Sequence, residues 1–273
     1  MSIKRNIKTI LKLLQRKKVI KADIVLLSPN QRLVGKKVII TGGNRGLGFA
    51  MAKKFTNEGA EVLITGRDEK KLEKAAKEIG CKYIQYDVTD FAHMDEFIKE
   101  ADDLLGGANV LVNNAGISLH EGTIMEVHYE QFDKQIETNL KGAYFLSQKF
   151  LRMYKKKHRN GGSILFLSSE RGHYVDDLPY GLIKAAINSL TQGLAKMLIQ
   201  SNIRINAIAP GITTTDMTGI TKDDIYADDY STGRYYLPEE VAEVACFLIS
   251  DVSSCLSGQI IICNNGDSIN YRK

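Results

Sequence analysis

Val38-Ile39-Ile40-Thr41-Gly42-Gly43-Asn44-Arg45-Gly46-Leu47-Gly48 is the stretch on which the fold turns. An apolar, β-branched run passes through closely spaced glycines into a helical pattern, which reads as a strand, a tight turn and a helix that can cradle phosphate. Gly42 can take the positive φ that the turn needs. Gly46 and Gly48 let the backbone approach a pyrophosphate and let the helix pack on its strand. The helix N-terminus then presents unpaired N–H groups and a partial positive charge. The spacing, Thr-Gly-x3-Gly-x-Gly, departs from the commoner Gly-x-Gly-x-x-Gly, and a glycine turn after a buried strand is also compatible with a simple tight turn. The rest of the chain decides between the two.

Outward from this loop, short β-branched runs alternate with longer amphipathic segments. Strands are expected near 38–41, 61–65, 82–86, 109–113, 163–168, 203–208 and 259–263. Repeated βα units of this kind predict an α/β protein with a parallel sheet and helices on both faces. Ligands of such sheets bind beyond the carboxyl ends of the strands, where the strand order reverses, and the glycine loop marks that edge.

The 273 residues, 44% of them apolar, suffice for one large domain with a sizeable core. The net charge of +5 hides an asymmetry: residues 1–37 carry 11 Lys and Arg against the single Asp23, and the remainder carries 26 basic and 31 acidic residues. The body is mildly acidic, which argues against a nucleic-acid-binding surface. Cys81, Cys246, Cys255 and Cys263 lie far apart, with no metal-ligand spacing, as expected of reduced thiols in a cytoplasmic protein that binds no metal.

Residues 1–36 form a basic extension to a domain spanning 37–273. Ile3, Ile7, Ile10, Leu11 and Leu14 share one helical face, and Lys4, Arg5, Lys8, Lys12, Arg16, Lys17 and Lys18 cover the rest. Residues 1–22 thus suit peripheral contact with an anionic membrane or a partner, or packing on the chain's own domain. Lysines interrupt every apolar run, so neither a signal peptide nor a membrane span is expected. Residues 24–27 read as a short strand leading into Ser28-Pro29-Asn30.

The second strand ends Ile64-Thr65-Gly66-Arg67. An NAD-binding unit places an acidic residue about 20 positions after the glycine loop. Gly66 stands there instead, and Arg45 and Arg67 can flank an adenosine 2′-phosphate. NADP(H) is therefore favoured, with NAD(H) left open by Asp68. The third strand leads to Asp87-Val88-Thr89-Asp90, where Asp87 can accept from an adenine amino group and Asp90 can cap a helix. The fourth leads to Asn113-Asn114-Ala115-Gly116, small and amide residues suited to a backbone close to a ligand.

Tyr180 and Lys184 are four apart in a helical pattern and share a face. Ser168-Ser169 precede them at a strand end on the ligand side. A phenol with an ordinary pKa near 10 is a poor acid-base group at neutral pH. A neighbouring ammonium lowers that pKa, while a serine hydroxyl can hold a substrate oxygen as hydride reaches the carbonyl carbon.

From Lys37 to about Asn265 the chain resembles the short-chain dehydrogenases/reductases. The resemblance rests on Thr41-Gly42-x3-Gly46-x-Gly48, Asp87-Val88, Asn113-Asn114-Ala115-Gly116, Asn139, Ser169, Tyr180-x3-Lys184 and Pro210-Gly211-Ile212-Thr213-Thr214-Thr215. It implies a Rossmann-type, doubly wound parallel seven-stranded sheet in the order 3-2-1-4-5-6-7. Tyr180 would be the general acid of reduction and base of oxidation, and Lys184 would lower its pKa and bind the nicotinamide ribose. Ser169, the second serine of the pair, would polarise the substrate carbonyl. Asn139 would hold a water linking Lys184 to solvent. Thr41, Gly42, Asn44, Arg45, Gly46, Leu47, Gly48, Arg67, Asp87, Val88, Asn114, Ala115 and Gly116 would line the cofactor site, with Pro210, Gly211, Ile212 and Thr215 at the carboxamide. A homotetramer or homodimer built on the helices of Asn139 and Tyr180 is also implied.

The segments Ile203–Gly211 and Pro238–Gly266 are similar to 3-oxoacyl-(acyl-carrier-protein) reductases, which makes a 3-oxoacyl thioester one candidate substrate. Ser169 and Tyr180 are 11 positions apart, one or two fewer than usual, and the loop Glu170-Arg171-Gly172-His173-Tyr174-Val175-Asp176-Asp177 is charged. That loop can recognise a polar, sugar-like ketone or alcohol, or direct its charges into solvent. The segment 217–236 resembles a polar lid with Tyr226, Tyr230, Tyr235 and Tyr236. A nucleotide-sensing protein without catalysis is a further alternative, but it has no need of Tyr180.

Overall fold

The computed structural model describes residues 30–221, 225–227, 230 and 232–269. Among them, strands β1 (Lys37–Thr41), β2 (Glu61–Gly66), β3 (Lys82–Gln85), β4 (Val110–Asn113), β5 (Gly162–Leu167), β6 (Ile203–Pro210) and β7 (Ile260–Cys263) pair in parallel, in the order β3-β2-β1-β4-β5-β6-β7. The helices are α1 (Gly46–Asn57), α2 (Glu69–Ile79), α3 (Met94–Leu105), α4 (Tyr129–Gln135), α5 (Ala143–Lys156), α6 (Pro179–Met197) and α7 (Pro238–Ile249). The expected order holds. Strand ends move by a residue or two: β3 stops at Gln85 and β6 continues to Pro210.

Each strand distributes its side chains between two cores, because successive residues of a strand point to opposite faces. Val38, Ile40, Val62, Ile64, Val110 and Val112 pack with Met51, Phe55, Leu72 and Val241 beneath α1, α2 and α7. Ile39, Leu63, Leu111, Ile164 and Phe166 pack with Phe97, Leu146, Phe150 and Ile187 beneath α3, α5 and α6. Burying each such side chain contributes about 1.5–3 kcal/mol. This two-sided burial explains why the strands read as continuous apolar runs without polar alternation.

Residues 31–36, which the sequence assigns to the extension, pack on the body. Leu33 is fully buried and its N–H donates to the Glu58 carbonyl. The Arg32 guanidinium reaches Glu58 and Glu243, and its bond holds the Glu58 carboxyl down at about 2. The folded unit therefore begins some residues before Lys37. The amphipathic pattern of residues 1–22 and the strand expected at 24–27 lie outside the described residues.

The sheet's amino edge is fixed by a buried carboxylate. Asp102, near the end of α3, accepts the Ala108 N–H at 2.8 Å and pairs with Lys157 and Arg159 after α5. Burial opposes its charge, but the bonds from Arg159 and Lys157 prevail and hold the carboxyl below the usual range. Replacing Asp102 with Ala leaves the Ala108 N–H unpaired beside two cations. The variant should lose about 3 kcal/mol of unfolding free energy, measured by urea denaturation, and a loss below about 0.5 kcal/mol would remove this clamp from the account of stability.

Candidate active site

The cleft opens where the strand order reverses, between the loops that follow β1 and β4. Gly42 and Gly46 take φ of 65° and 53°, the left-handed region glycine adopts at least cost. Gly48 is confined differently: a Cβ there would lie 2.3 Å from the Gly42 carbonyl oxygen and 2.5 Å from Asn114 Nδ2. The Asn114 amide donates to the carbonyls of Thr41 (2.8 Å) and Gly42 (3.0 Å), stapling the two loops together. The Thr41 hydroxyl lies behind this staple and accepts the N–H groups of Asn114 and Ala115, both at 3.0 Å.

A cleft of about 1090 Å³, including its open mouth, runs from the glycine loop to α6. Gly42, Asn44, Arg45, Gly46, Leu47, Gly48, Arg67, Asp87, Val88, Asn114, Ala115, Gly116, Tyr180, Lys184 and Thr215 line it. A dinucleotide fits this cradle: the glycines leave the space that side chains would fill, and α1 points its first N–H groups into it. At the β2 end Gly66 lies under Asn44, whose Oδ1 would be 3.0 Å from a Cβ at that position. The loop itself thus crowds the place where a ribose-binding carboxylate would stand. Arg45 and Arg67, both more than half exposed, flank it and approach Asp216 at 3.7 Å and Asp87 at 3.9 Å.

Several expected residues are held by their own neighbours. Asp87 Oδ1 accepts the N–H and hydroxyl of Thr89, leaving Oδ2 toward Arg67. Asp90 binds His93 ahead of α3, so it orders the approach to that helix without being its cap. Pro210 and Gly211 are buried. Ile212 gives its carbonyl to the Tyr236 N–H and its N–H to Tyr230, so both of its backbone groups face the lid. Gly66 and Ser168, both singled out in the sequence, also line the cleft, as do Tyr86, Ile117, Thr138, Leu167, Asp216 and Met217, which no motif marked. Most lie at the carboxyl ends of strands or just beyond, where position alone would have found them.

Asn139 sits in a π-helical turn, Ile136–Gly142, that joins α4 to α5. Its side chain clasps the Ile117 backbone: Oδ1 accepts the Ile117 N–H at 2.8 Å and Nδ2 donates to the Ile117 carbonyl at 2.7 Å. Gly142 lets the turn approach β3, since a Cβ there would lie 3.0 Å from the Val88 carbonyl oxygen.

Beyond β5, Ser169 lies beside Tyr180, where it pulls the phenol's pKa down, and Ser168 turns inward to Asn188. Tyr180 and Lys184 share a face of α6, with the Lys184 ammonium 5.4 Å above the Tyr180 ring and donating to the Leu167 carbonyl at 2.6 Å. Burial raises the Tyr180 phenol, against opposing pulls from Ser169 and the Arg171 charge. Burial likewise pushes Lys184 down to about 8. Two cations stand near the phenol: Lys184 over its ring and Arg171, whose charge favours phenolate.

The charged loop is only partly turned to solvent: His173, Tyr174, Val175 and Asp177 are exposed, while Glu170, Arg171 and Asp176 are held against the protein. Arg171 forms two 2.7 Å bonds to Asp176, one to each carboxylate oxygen. Glu170 is buried and accepts from Asn264 at 2.9 Å. Among the described residues no cluster of His, Cys, Asp and Glu suits a metal, and no helix is long and apolar enough to cross a membrane.

A cradle for a dinucleotide facing a phenol that can give or take a proton defines the class: an oxidoreductase. Residues 42–268 match the family model described as enoyl-(acyl carrier protein) reductase. A 3-oxoacyl-(acyl-carrier-protein) reductase of Aquifex aeolicus is 32% identical, over 86% of this chain and 98% of that protein. A 3alpha-hydroxysteroid dehydrogenase of Mediterraneibacter gnavus is 34% identical, over 84% of this chain and 95% of its own. The crystal structure of a short chain dehydrogenase from Burkholderia cenocepacia in complex with NADP superposes with a TM-score of 0.77 at 29% identity, covering 85% of this chain and 98% of that one. The chain belongs to the short-chain dehydrogenase/reductase family.

Because burial outweighs the Ser169 and Arg171 pulls, the cofactor-free protein should hold Tyr180 as a phenol at every pH up to about 10. Absorbance titration at the tyrosinate band, wild type minus Tyr180→Phe, checks this. A tyrosinate step near neutral pH would mean that Lys184 acts on the phenol without any ligand.

Proposed function

We propose that the protein is an NADP(H)-dependent reductase or dehydrogenase that interconverts a carbonyl and a secondary alcohol. The observation that carries the reading is Tyr180 with Lys184 5.4 Å from its ring and Ser169 beside it, at the end of a cleft whose other end holds Arg45 and Arg67. Asn44, Arg45 and Arg67 would take the adenosine 2′-phosphate, Gly46 to Gly48 and the α1 N-terminus the pyrophosphate, and Lys184 and Thr215 the nicotinamide half. When bound, NADP(H) supplies or accepts the hydride.

The chain's own residues handle the proton. The Ser169 hydroxyl donates to the substrate oxygen and holds it against Tyr180. The Tyr180 hydroxyl gives its proton to that oxygen in reduction and takes one from it in oxidation. Lys184, with its ammonium brought down to about 8, can pass a proton near neutral pH. Arg171 stabilises the phenolate left behind.

For the substrate we favour a 3-oxoacyl thioester, in line with the relatives above. A polar ketone is the second reading, and Glu170 favours it: this buried carboxylate lies among Tyr174, Tyr230, Tyr236 and Asn264, groups suited to hydroxyls. Exposed apolar side chains at Met125, Tyr129, Phe132, Tyr144 and Leu182 support a homo-oligomer built on the helices around the site.

NADPH oxidation with a 3-oxoacyl thioester, compared with keto sugars and simple ketones, tests the reading. Tyr180→Phe should lower kcat at least about 100-fold while NADPH still binds; undiminished turnover would refute the role of Tyr180, and binding without any turnover would favour a nucleotide sensor. For the basic leader we propose peripheral contact with anionic membranes. Deleting residues 1–22 should leave kcat unchanged and abolish sedimentation with anionic vesicles at low salt. Absence of sedimentation by the full-length chain would reject that contact.

A further inference from the structure

We propose that Asn188 is the positioning residue that sets Ser169 against Tyr180, an inference that rests on the catalytic reading above. Asn188 is four residues beyond Lys184 and eight beyond Tyr180, so the three lie along one face of α6. Its carboxamide reaches the segment after β5 at two points that bracket Ser169. Oδ1 accepts the Ser168 hydroxyl at 2.6 Å, and Nδ2 donates to the Gly172 carbonyl at 3.1 Å. One planar group thereby fixes the residue before Ser169 and the residue three after it to the helix that carries the phenol.

The surroundings leave this segment little freedom. Gly172 lies so close to α6 that a Cβ would fall 2.8 Å from the Lys184 carbonyl carbon and 2.9 Å from Asn188 Nδ2. Lys184 adds two further ties, its ammonium to the Leu167 carbonyl at 2.6 Å and, more weakly, its own carbonyl to the Ser168 hydroxyl at 3.3 Å. The hydroxyl has a single proton, and the 2.6 Å partner, Asn188, takes it. Backbone bonding within the segment is confined to Glu170–Gly172, a single 3₁₀ turn that begins from Ser169. The turn is rigid locally, but its angle to α6 is set by side chains, and Asn188 makes two of the contacts. The Asn188 carboxamide spends its bonds on Ser168 and Gly172, so its effect on the site runs through the segment that carries Ser169.

A displacement of about 1 Å between a substrate-holding group and its acid can cost on the order of 100-fold in rate. Asn188→Ala and Ser168→Ala should therefore each lower kcat by about tenfold or more, with the dissociation constant for NADPH, followed by its fluorescence, within about twofold of wild type. The double variant should be no slower than the slower single one, since both changes break the same clamp. His173 touches the Asn188 amide at 3.5 Å from outside, and His173→Ala should leave kcat as it is. Melting temperatures identify any variant that fails to fold, and Ser168→Ala removes only one oxygen, so it keeps the test open should Asn188→Ala unfold. A kcat within twofold of wild type in both single variants, additive losses in the double variant, or NADPH binding that weakens in step with kcat would each overturn the assignment. Activity surviving in Tyr180→Phe would instead overturn the catalytic reading itself, a result distinct from any of these.

Discussion

The Asn114 carboxamide, donating to the carbonyls of Thr41 and Gly42, closes the point where the sheet reverses direction. At such a point two loops leave adjacent strands toward opposite faces and a crevice opens between them. Left alone, that crevice would expose two unpaired carbonyls at the base of a ligand site. The amide satisfies both with one planar group and fixes how far apart the loops stand. Gly48 follows from the same constraint, because the first turn of α1 must pass within contact of both the Gly42 carbonyl and this amide.

Burial pulls the two ionisable groups of the site in opposite directions. Tyr180 is pushed up and Lys184 down, so burial moves both toward their neutral forms, while Lys184, at about 8, is still an ammonium at neutral pH. The sequence shows the pair but not this state, because spacing on a helix face says nothing of desolvation. It also gives no sign that Lys184 would turn toward the Leu167 carbonyl or that Arg171 would add a charge favouring phenolate. Such a site stays inert until something supplies compensating polar groups. Ribose hydroxyls and a carbonyl oxygen are groups of that kind.

Much of the fold was legible because two-sided burial writes itself into composition. Strands such as β1 and β4 had to be apolar on both faces through their middles, and their spacing by helical segments left the parallel sheet as the natural arrangement. The glycine loop was legible because steric room has one residue type. Side-chain roles were less so. Thr41, Asn139 and Asp87 fall at motif positions, yet each engages its own neighbourhood: Asn114 and Ala115, Ile117, and Thr89 respectively. Polar residues mark where such bonds are needed, and only the folded chain shows which partner takes them.

The charged loop between Ser169 and Tyr180 carries that point furthest. Charges in loops usually seek water, and Asp177 does, but Glu170 and the Arg171–Asp176 pair are held against the protein. Arg171 and Asp176 neutralise each other across the turn, and Asp176 in turn requires Gly181, where a Cβ would lie 1.9 Å from its Oδ2. Glu170 is tied to Asn264 beyond β7. A loop that lost residues would be expected to swing freely or to pull Ser169 away from the helix. Here the same shortening brings ionic groups close enough to pair, and their pairing, together with the Asn188 amide, makes the segment a fixed wall of the site. The polar residues are therefore not decoration on a family scaffold: they are what lets a shorter connection hold the serine where the phenol can meet it.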